Sequence, residues 1–197
     1  MEMWIATGNE GKLKEIKQVL VAQIPEISLH HQNELKAFTP RPEDGKTYLD
    51  NARIKAKTLK SVRDKDWVLG DDTGLEVFGL GNLPGIHSAR YAGTHASDSE
   101  NTAKLLKMMT IRSVSDRKAR FFCCLVIYTP DNQEWVFEAE LTGTIGKLPQ
   151  GTHGFGYDSV FIPDGETKSL AELGPGYKLT HSHRTLALRK FLERLKS

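Results

Sequence analysis

The stretch Met3-Trp4-Ile5-Ala6-Thr7-Gly8-Asn9-Glu10-Gly11-Lys12-Leu13 decides the fold. Its leading apolar residues make too short a run for a helix and read as a buried strand. After Thr7-Gly8-Asn9 the apolar side chains Leu13, Ile16, Leu20 and Ile24 return at helical spacing. Strand, turn and helix follow in that order. Pro25 stops the helix, and Ile27-Ser28-Leu29-His30 supplies a second strand, so the chain opens as a βαβ unit with a right-handed crossover. An α/β fold is expected.

Outward from this unit, Tyr48, Ala52, Ala56, Leu59 and Val62 keep a helical period from Thr47 to about Arg63. Trp67-Val68-Leu69-Gly70 then reads as a strand that delivers Asp71-Asp72 at its carboxyl end. Ser97 with Glu100 has the form of a capping box and opens a helix through Leu105, Leu106 and Met109. Arg120 to Thr129 is an apolar strand, Pro130-Asp131-Asn132 a turn, and Trp135, Phe137, Ala139 and Leu141 alternate with Glu138, Glu140 and Thr142 in a returning strand. A glycine-rich loop from Gly151 to Tyr157, a strand at Val160-Phe161-Ile162 and a helix carrying Leu188, Phe191, Leu192 and Leu195 complete the chain. No repeat or long linker divides it, and its length fits one domain or two closely joined lobes; residues 1–197 are taken together as a single domain.

Lys and Arg number 27 against 25 Asp and Glu, and a formal charge of +2 provides no broad basic field of the kind that holds a nucleic acid polymer. Anions are expected to be bound locally. Cys123 and Cys124 are adjacent in an apolar strand and point to opposite faces, so they read as core thiols rather than a bridge. The start has no signal-like leader, and no segment approaches the roughly 20 apolar residues of a membrane helix. A cytoplasmic protein without a membrane partner is the expectation.

Several segments carry residues suited to chemistry. Thr7, Gly8, Asn9, Glu10, Gly11 and Lys12 fall between the first strand and helix, where free backbone N–H groups and the helix dipole favour phosphate. The glycines are too closely spaced for a P-loop, and Leu13 stands where that motif needs Ser or Thr. A plain turn with a solvated lysine is the competing reading. Tyr48, Asn51 and Lys55 share one stripe of the second helix, as a phosphate grip or merely a polar edge. Asp71-Asp72-Thr73-Gly74 is more specific, because adjacent carboxylates repel unless a cation or donor offsets them. Magnesium suits them, taking one or two carboxylates while bridging substrate phosphates; an Asp-Asp turn that caps backbone groups is the alternative. Arg90 and Tyr91 after Pro84-Gly85 read as a structural clasp or a phosphate contact. Gly151 to Asp158 interleaves aromatics with glycines, as stacking on a flat base requires, and Lys178 with Ser182-His183-Arg184 adds donors downstream.

In sequence order these motifs are Thr7-Gly8-Asn9 with Lys12 and Glu15; Tyr48 with Asn51-Ala52 and Lys55; Asp71-Asp72-Thr73-Gly74-Leu75; Pro84-Gly85-Ile86 with Ser88-Ala89-Arg90-Tyr91; Ala119-Arg120-Phe121; Gly154-Phe155-Gly156-Tyr157-Asp158; Ala171-Glu172-Leu173; and Lys178 with Ser182-His183-Arg184. The ordered set closely resembles the inosine triphosphatase-like family of purine nucleoside triphosphate pyrophosphatases, from Trp4 almost to the C-terminus. That resemblance implies an elongated mixed β-sheet flanked by helices, two lobes with a central nucleotide cleft, and a homodimer. It implies magnesium-dependent (Mg2+) hydrolysis of ITP, dITP, XTP and dXTP to the monophosphate and pyrophosphate, which cleanses the nucleotide pool. Asp72 is the implied catalytic base and a metal ligand, with Glu43 beside it on the ion. Thr7, Gly8, Asn9, Glu10, Gly11, Lys12 and Lys55 would hold the triphosphate. Thr73, Phe155, Gly156, Tyr157, Asp158, Lys178, His183 and Arg184 would line the nucleoside and base pocket.

Four positions depart from the family pattern: Thr73 for the common serine, His153 for a loop glycine, Ser159 for a proline, and His181 for an aliphatic residue. Two other readings compete. A P-loop-like kinase or NTPase would release orthophosphate or phosphorylate an acceptor. A nucleotide- or RNA-binding module without catalysis would use Phe155 and Tyr157 as a stacking platform, although paired carboxylates would then repel phosphate.

Overall fold

The computed structural model describes all of residues 1–197. Its strands are β1 (Glu2–Ala6), β2 (Ser28–His31), β3 (Trp67–Val77), β4 (Leu83–Pro84), β5 (Lys118–Tyr128), β6 (Glu134–Ile145) and β7 (Phe161–Pro163). Its helices are α1 (Glu10–Gln23), α2 (Tyr48–Lys60), α3 (Asp98–Ile111), α4 (Leu170–His181) and α5 (His183–Lys196), with 3-10 turns at Gln32–Glu34, Phe78–Leu80 and Gly85–Arg90. The strands form one mixed sheet in the order β2-β1-β3-β5-β6-β7, and β4 pairs with β3. No helix is long and apolar enough to cross a membrane.

Strand β1 is parallel to both neighbours, with Met3 opposite Leu29 on β2 and Trp67 on β3, and Ala6 opposite Gly70. The connection through α1 runs from β1 to one side, and that through α2 returns across β1 to the other. Right-handed crossovers in opposite directions place the two helices on opposite faces of the sheet. The crevice of such a sheet opens beyond the carboxyl ends of the two strands where the direction reverses, here β1 and β3.

Local signals start the helices where the sequence places them. The Asn9 side chain accepts from Lys12 N–H at the start of α1, and capping boxes open α2 (Thr47 with Asp50), α3 (Ser97 with Glu100) and α4 (Ser169 with Glu172). Two elements differ from expectation. Strand β3 does not end at the acidic pair but continues to Val77, because both carboxylates are met by cations and need no break in the pleat. Helix α4 falls where the sequence reading assigns no element: two short helical pieces join across Gly174, whose φ of 78° is non-helical, with Pro175 behind it.

The chain folds as two compact units. The first comprises Met1–Asp72, Cys123–Ala139 and Arg184–Ser197; the second comprises Thr73–Phe122 and Glu140–His183. In the first, Trp67 packs edge-on against Trp135 at 5.4 Å and Phe191 at 6.1 Å between ring centroids. Leu75, Leu105, Met109, Phe121, Tyr157 and Phe161 belong to the core of the second. Cys123 and Cys124 are buried and form no disulfide, as the strand alternation requires, and burial pushes Cys124 up to about 12.

Candidate active site

Successive residues of a strand point to opposite faces, and this separates the two aspartates of β3. Asp71 faces the α1 side, where its Oδ1 receives Lys12 Nζ at 2.6 Å and its Oδ2 receives Arg184 Nε at 2.6 Å. Arg184, 1% exposed, also donates through Nη1 to Glu15, one turn beyond Lys12 on α1. Asp72 faces α2, where Lys55 Nζ reaches its Oδ1 at 2.7 Å and Asn51 Nδ2 lies 3.4 Å from its Oδ2. Gly70, two residues earlier on the same face, lets α2 approach this closely, since a Cβ there would sit 2.3 Å from the Ala52 carbonyl oxygen.

The two environments push the two carboxyls in opposite directions. Burial works against the charge of Asp71, but Arg184 and Lys12 override it and hold the group well below the usual carboxylate range. Burial raises Asp72, and the opposing pull of Lys55 and Lys12 does not cancel it. Asp71 is therefore a fixed anion, and Asp72 a carboxylate with raised proton affinity.

Glu43 joins the Asp72 side. Its Oε2 lies 2.9 Å from Lys55 Nζ, so one ammonium is gripped by the two carboxylates 2.7 and 2.9 Å away. Burial lowers the proton affinity of Lys55, and these two neighbours more than restore it. The structure gathers no group of three or more His, Cys, Asp or Glu side chains around one point. The donor set of Asp72 and Glu43 still fits magnesium, which commonly takes only one or two protein carboxylates and completes its shell with phosphate and water. The ammonium of Lys55 marks the spot where those two carboxylates converge on positive charge.

The turn of Thr7, Gly8, Asn9, Glu10 and Gly11 lies between β1 and α1 as expected, with Asn9 N–H donating to Thr7 Oγ1 at 3.1 Å. Gly8 is flanked by the 3-10 turn after β2, where Gln32 Nε2 would lie 3.5 Å from an added Cβ. Lys12 and Lys55 thus reach Asp71 and Asp72 from different helices, and the sequence-predicted grip converges in the first unit.

In the second unit the loop of Phe155, Gly156, Tyr157 and Asp158 folds upon itself. Asp158 Oδ2 accepts Phe155 N–H at 2.9 Å and Lys178 Nζ at 2.6 Å, and the Lys178 ammonium lies 4.6 Å from the Phe155 ring centroid. Gly154 has a φ of 85°, and a Cβ there would meet Asp158 Oδ2 at 2.1 Å. Tyr157 donates to the Ser88 carbonyl at 2.8 Å. The His183 ring stacks on Phe121 at 4.8 Å with an interplanar angle of 9°. Thr73 follows Asp72 on β3 and is half-buried. A cavity of about 490 Å³ is lined by Phe155 and Asp158 together with His153, Ser159 and Thr102, so two of the family departures border it. His181 instead stacks on Tyr177 at the surface. Arg90 and Tyr91 end a 3-10 turn and its flank.

Among the residues expected at the base, Arg184 belongs to the first unit, where its guanidinium is engaged by Asp71 and Glu15. Sequence reading gave Asp71 and Glu15 no individual role. The one available signal was their company: Glu15 lies three residues after Lys12, and so on the same helical face.

The model of the Ham1 family matches residues 3–194. A dITP/XTP pyrophosphatase of Bdellovibrio bacteriovorus is 60% identical over all of this chain and 98% of its own, and one of Streptococcus pneumoniae is 41% identical over 97% of this chain and 94% of its own. Among solved structures, the Staphylococcus aureus Ham1 protein has a TM-score of 0.87 at 35% identity, and a HAM1 protein from Coxiella burnetii has 0.88 at 32%, each covering 100% of this chain and 98% of its own.

Proposed function

The chain belongs to the Ham1 family, and from that premise we propose that it is a magnesium-dependent pyrophosphatase of dITP, ITP and XTP that removes these nucleotides from the pool. The carrying observation is the pair of adjacent aspartates whose surroundings drive their proton affinities apart. Such divergence separates a structural anion from a working base. In the reaction, water attacks the α-phosphorus while Asp72 takes a proton from it. The bond from that phosphorus to the bridging oxygen breaks, and the products are the nucleoside monophosphate and pyrophosphate.

Lys12 and Lys55 orient the triphosphate and offset charge as it shifts to the leaving group. Asp72 and Glu43 would hold a magnesium ion, which when bound would supply further charge neutralisation on the phosphates. Within the second unit, Phe155 offers a ring face suited to a purine, and Lys178 and His183 offer polar groups suited to its edge. A site donating to a 6-oxo group accepts hypoxanthine and xanthine, whereas adenine would set donor against donor, a mismatch worth on the order of 10⁴-fold. Guanine shares the 6-oxo group, so its rejection turns on the 2-position. A second copy of the chain as partner and the cytoplasm as workplace complete the proposal; a monomer mass by light scattering would remove the dimer.

The test is product analysis. Purified protein given dITP, XTP, GTP or ATP with magnesium should yield orthophosphate from the first two only when inorganic pyrophosphatase is added, and with a chelator present it should form no nucleoside monophosphate, read directly by chromatography. Orthophosphate without the coupling enzyme would mark an NTPase and overturn the proposal.

A further inference from the structure

Asn51 is fully buried, on the same stripe of α2 as Lys55 and one turn before it. It is therefore no solvated polar edge. Its carboxamide is used at both ends: Oδ1 accepts Gly45 N–H at 3.0 Å, and Nδ2 points to Asp72 Oδ2 at 3.4 Å. The orientation is dictated by partners, since the Gly45 N–H needs an acceptor and the Asp72 carboxylate needs a donor. Gly45 is pressed against this group, because a Cβ there would lie 2.6 Å from Asn51 Oδ1 and 2.6 Å from Asp50 Cβ. Gly45 also lies two residues after Glu43 in the segment that leads into α2.

The two oxygens of Asp72 are thus held by two residues of one helix, Oδ1 by Lys55 and Oδ2 by Asn51. Lys55 alone would leave the carboxylate free to rotate about its Cβ–Cγ bond. A second donor one turn away fixes the plane of the carboxylate. Through Gly45 the same amide fastens the segment that carries Glu43. We propose that Asn51 is a positioning residue: it sets the plane of the Asp72 carboxylate and ties it to the Glu43 segment, and so determines which oxygen faces the attacking water. The inference rests on Asp72 being the base.

Asn51→Asp and Asn51→Leu separate positioning from packing. Both keep the branched shape; the first retains an acceptor for Gly45 N–H but loses the donor to Asp72 and sets a second carboxyl group against it, and the second loses both hydrogen bonds without adding charge. Positioning predicts that kcat for dITP falls in both, on the order of 10- to 100-fold, as sub-ångström misplacement of a reacting group does. The affinity of Asn51→Leu for the non-hydrolysable α,β-methylene analogue of dITP, measured by calorimetry, should stay within about twofold of wild type. Gly45→Ala, which drives the amide off its place while sparing Asn51 and Asp72, should lower kcat in the same direction and serves if Asn51→Leu folds poorly.

A kcat within about threefold of wild type in both Asn51→Asp and Gly45→Ala would overturn the role. So would a proportional loss of kcat and analogue affinity in Asn51→Leu. A wild-type protein that releases no pyrophosphate from dITP defeats the functional reading itself, and Asn51's role falls with it; an active wild type with indifferent variants defeats Asn51 alone.

Discussion

Asp71 and Asp72 are chemically identical and one peptide apart, yet their replacement should have opposite consequences. Asp71→Asn breaks the buried ion pair between Asp71 and Arg184, and removing one partner of such a pair costs about 3–5 kcal/mol, which urea unfolding would measure. Because the folded-state proton affinity of Asp71 is depressed, its contribution is fully present above the unfolded carboxylate pKa of about 3.9 and is lost as pH falls. Wild type should therefore lose stability below about pH 4 more steeply than Asp71→Asn. Asp72→Asn should keep its fold and its nucleotide affinity while losing turnover; near wild-type dITP hydrolysis would refute Asp72 as the base. Lys12→Ala should chiefly raise the KM for dITP, and unchanged kinetic parameters would remove it from the phosphate grip. The acidic pair itself was legible in the sequence, as were Lys12 and Lys55 at their offsets. Which aspartate met which cation was not, because Arg184 lies 113 positions from Asp71 and no local pattern spans that separation.

At the level of elements, the contact of α2 with β3 sets the reach of Lys55 and Asn51. Gly70→Ala tests it: the added methyl would press on the Ala52 carbonyl at 2.3 Å and the Ala56 N at 2.9 Å, and neither is a flexible tip. Overpacking of this kind costs about 1–3 kcal/mol or more, so thermal unfolding should show a clear loss together with reduced turnover. The helices with strong stop and start chemistry were readable to within a few residues: Pro25 follows the end of α1, and Ser97 with Glu100 opens α3. Helix α4 was not readable, because Gly174-Pro175-Gly176 carries a local signal for a break and tertiary packing carries the chain across it. The continuation of β3 past Gly70 was missed for an electrostatic reason, since in isolation two carboxylates argue against a strand interior, whereas here each is neutralised from its own face.

For the whole molecule, the βαβ opening followed from periodicity and the mixed sheet from the family resemblance, whereas the position of β1 between β2 and β3 followed from neither, since strand order is set by packing of distant segments. A formal charge of +2 predicts that double-stranded DNA and single-stranded RNA show no binding at 150 mM salt by fluorescence anisotropy, within reach of about 10 µM protein. Salt-resistant binding to RNA would revive the stacking-platform reading. The first unit is closed by the final stretch of the chain, Arg184–Ser197. A ribosome makes Asp71 113 positions before Arg184, so over that stretch of translation the central aspartate lacks its guanidinium. A frameshift or nonsense codon upstream of Arg184 would yield a product lacking the guanidinium, and with it the ion pair that offsets the buried Asp71.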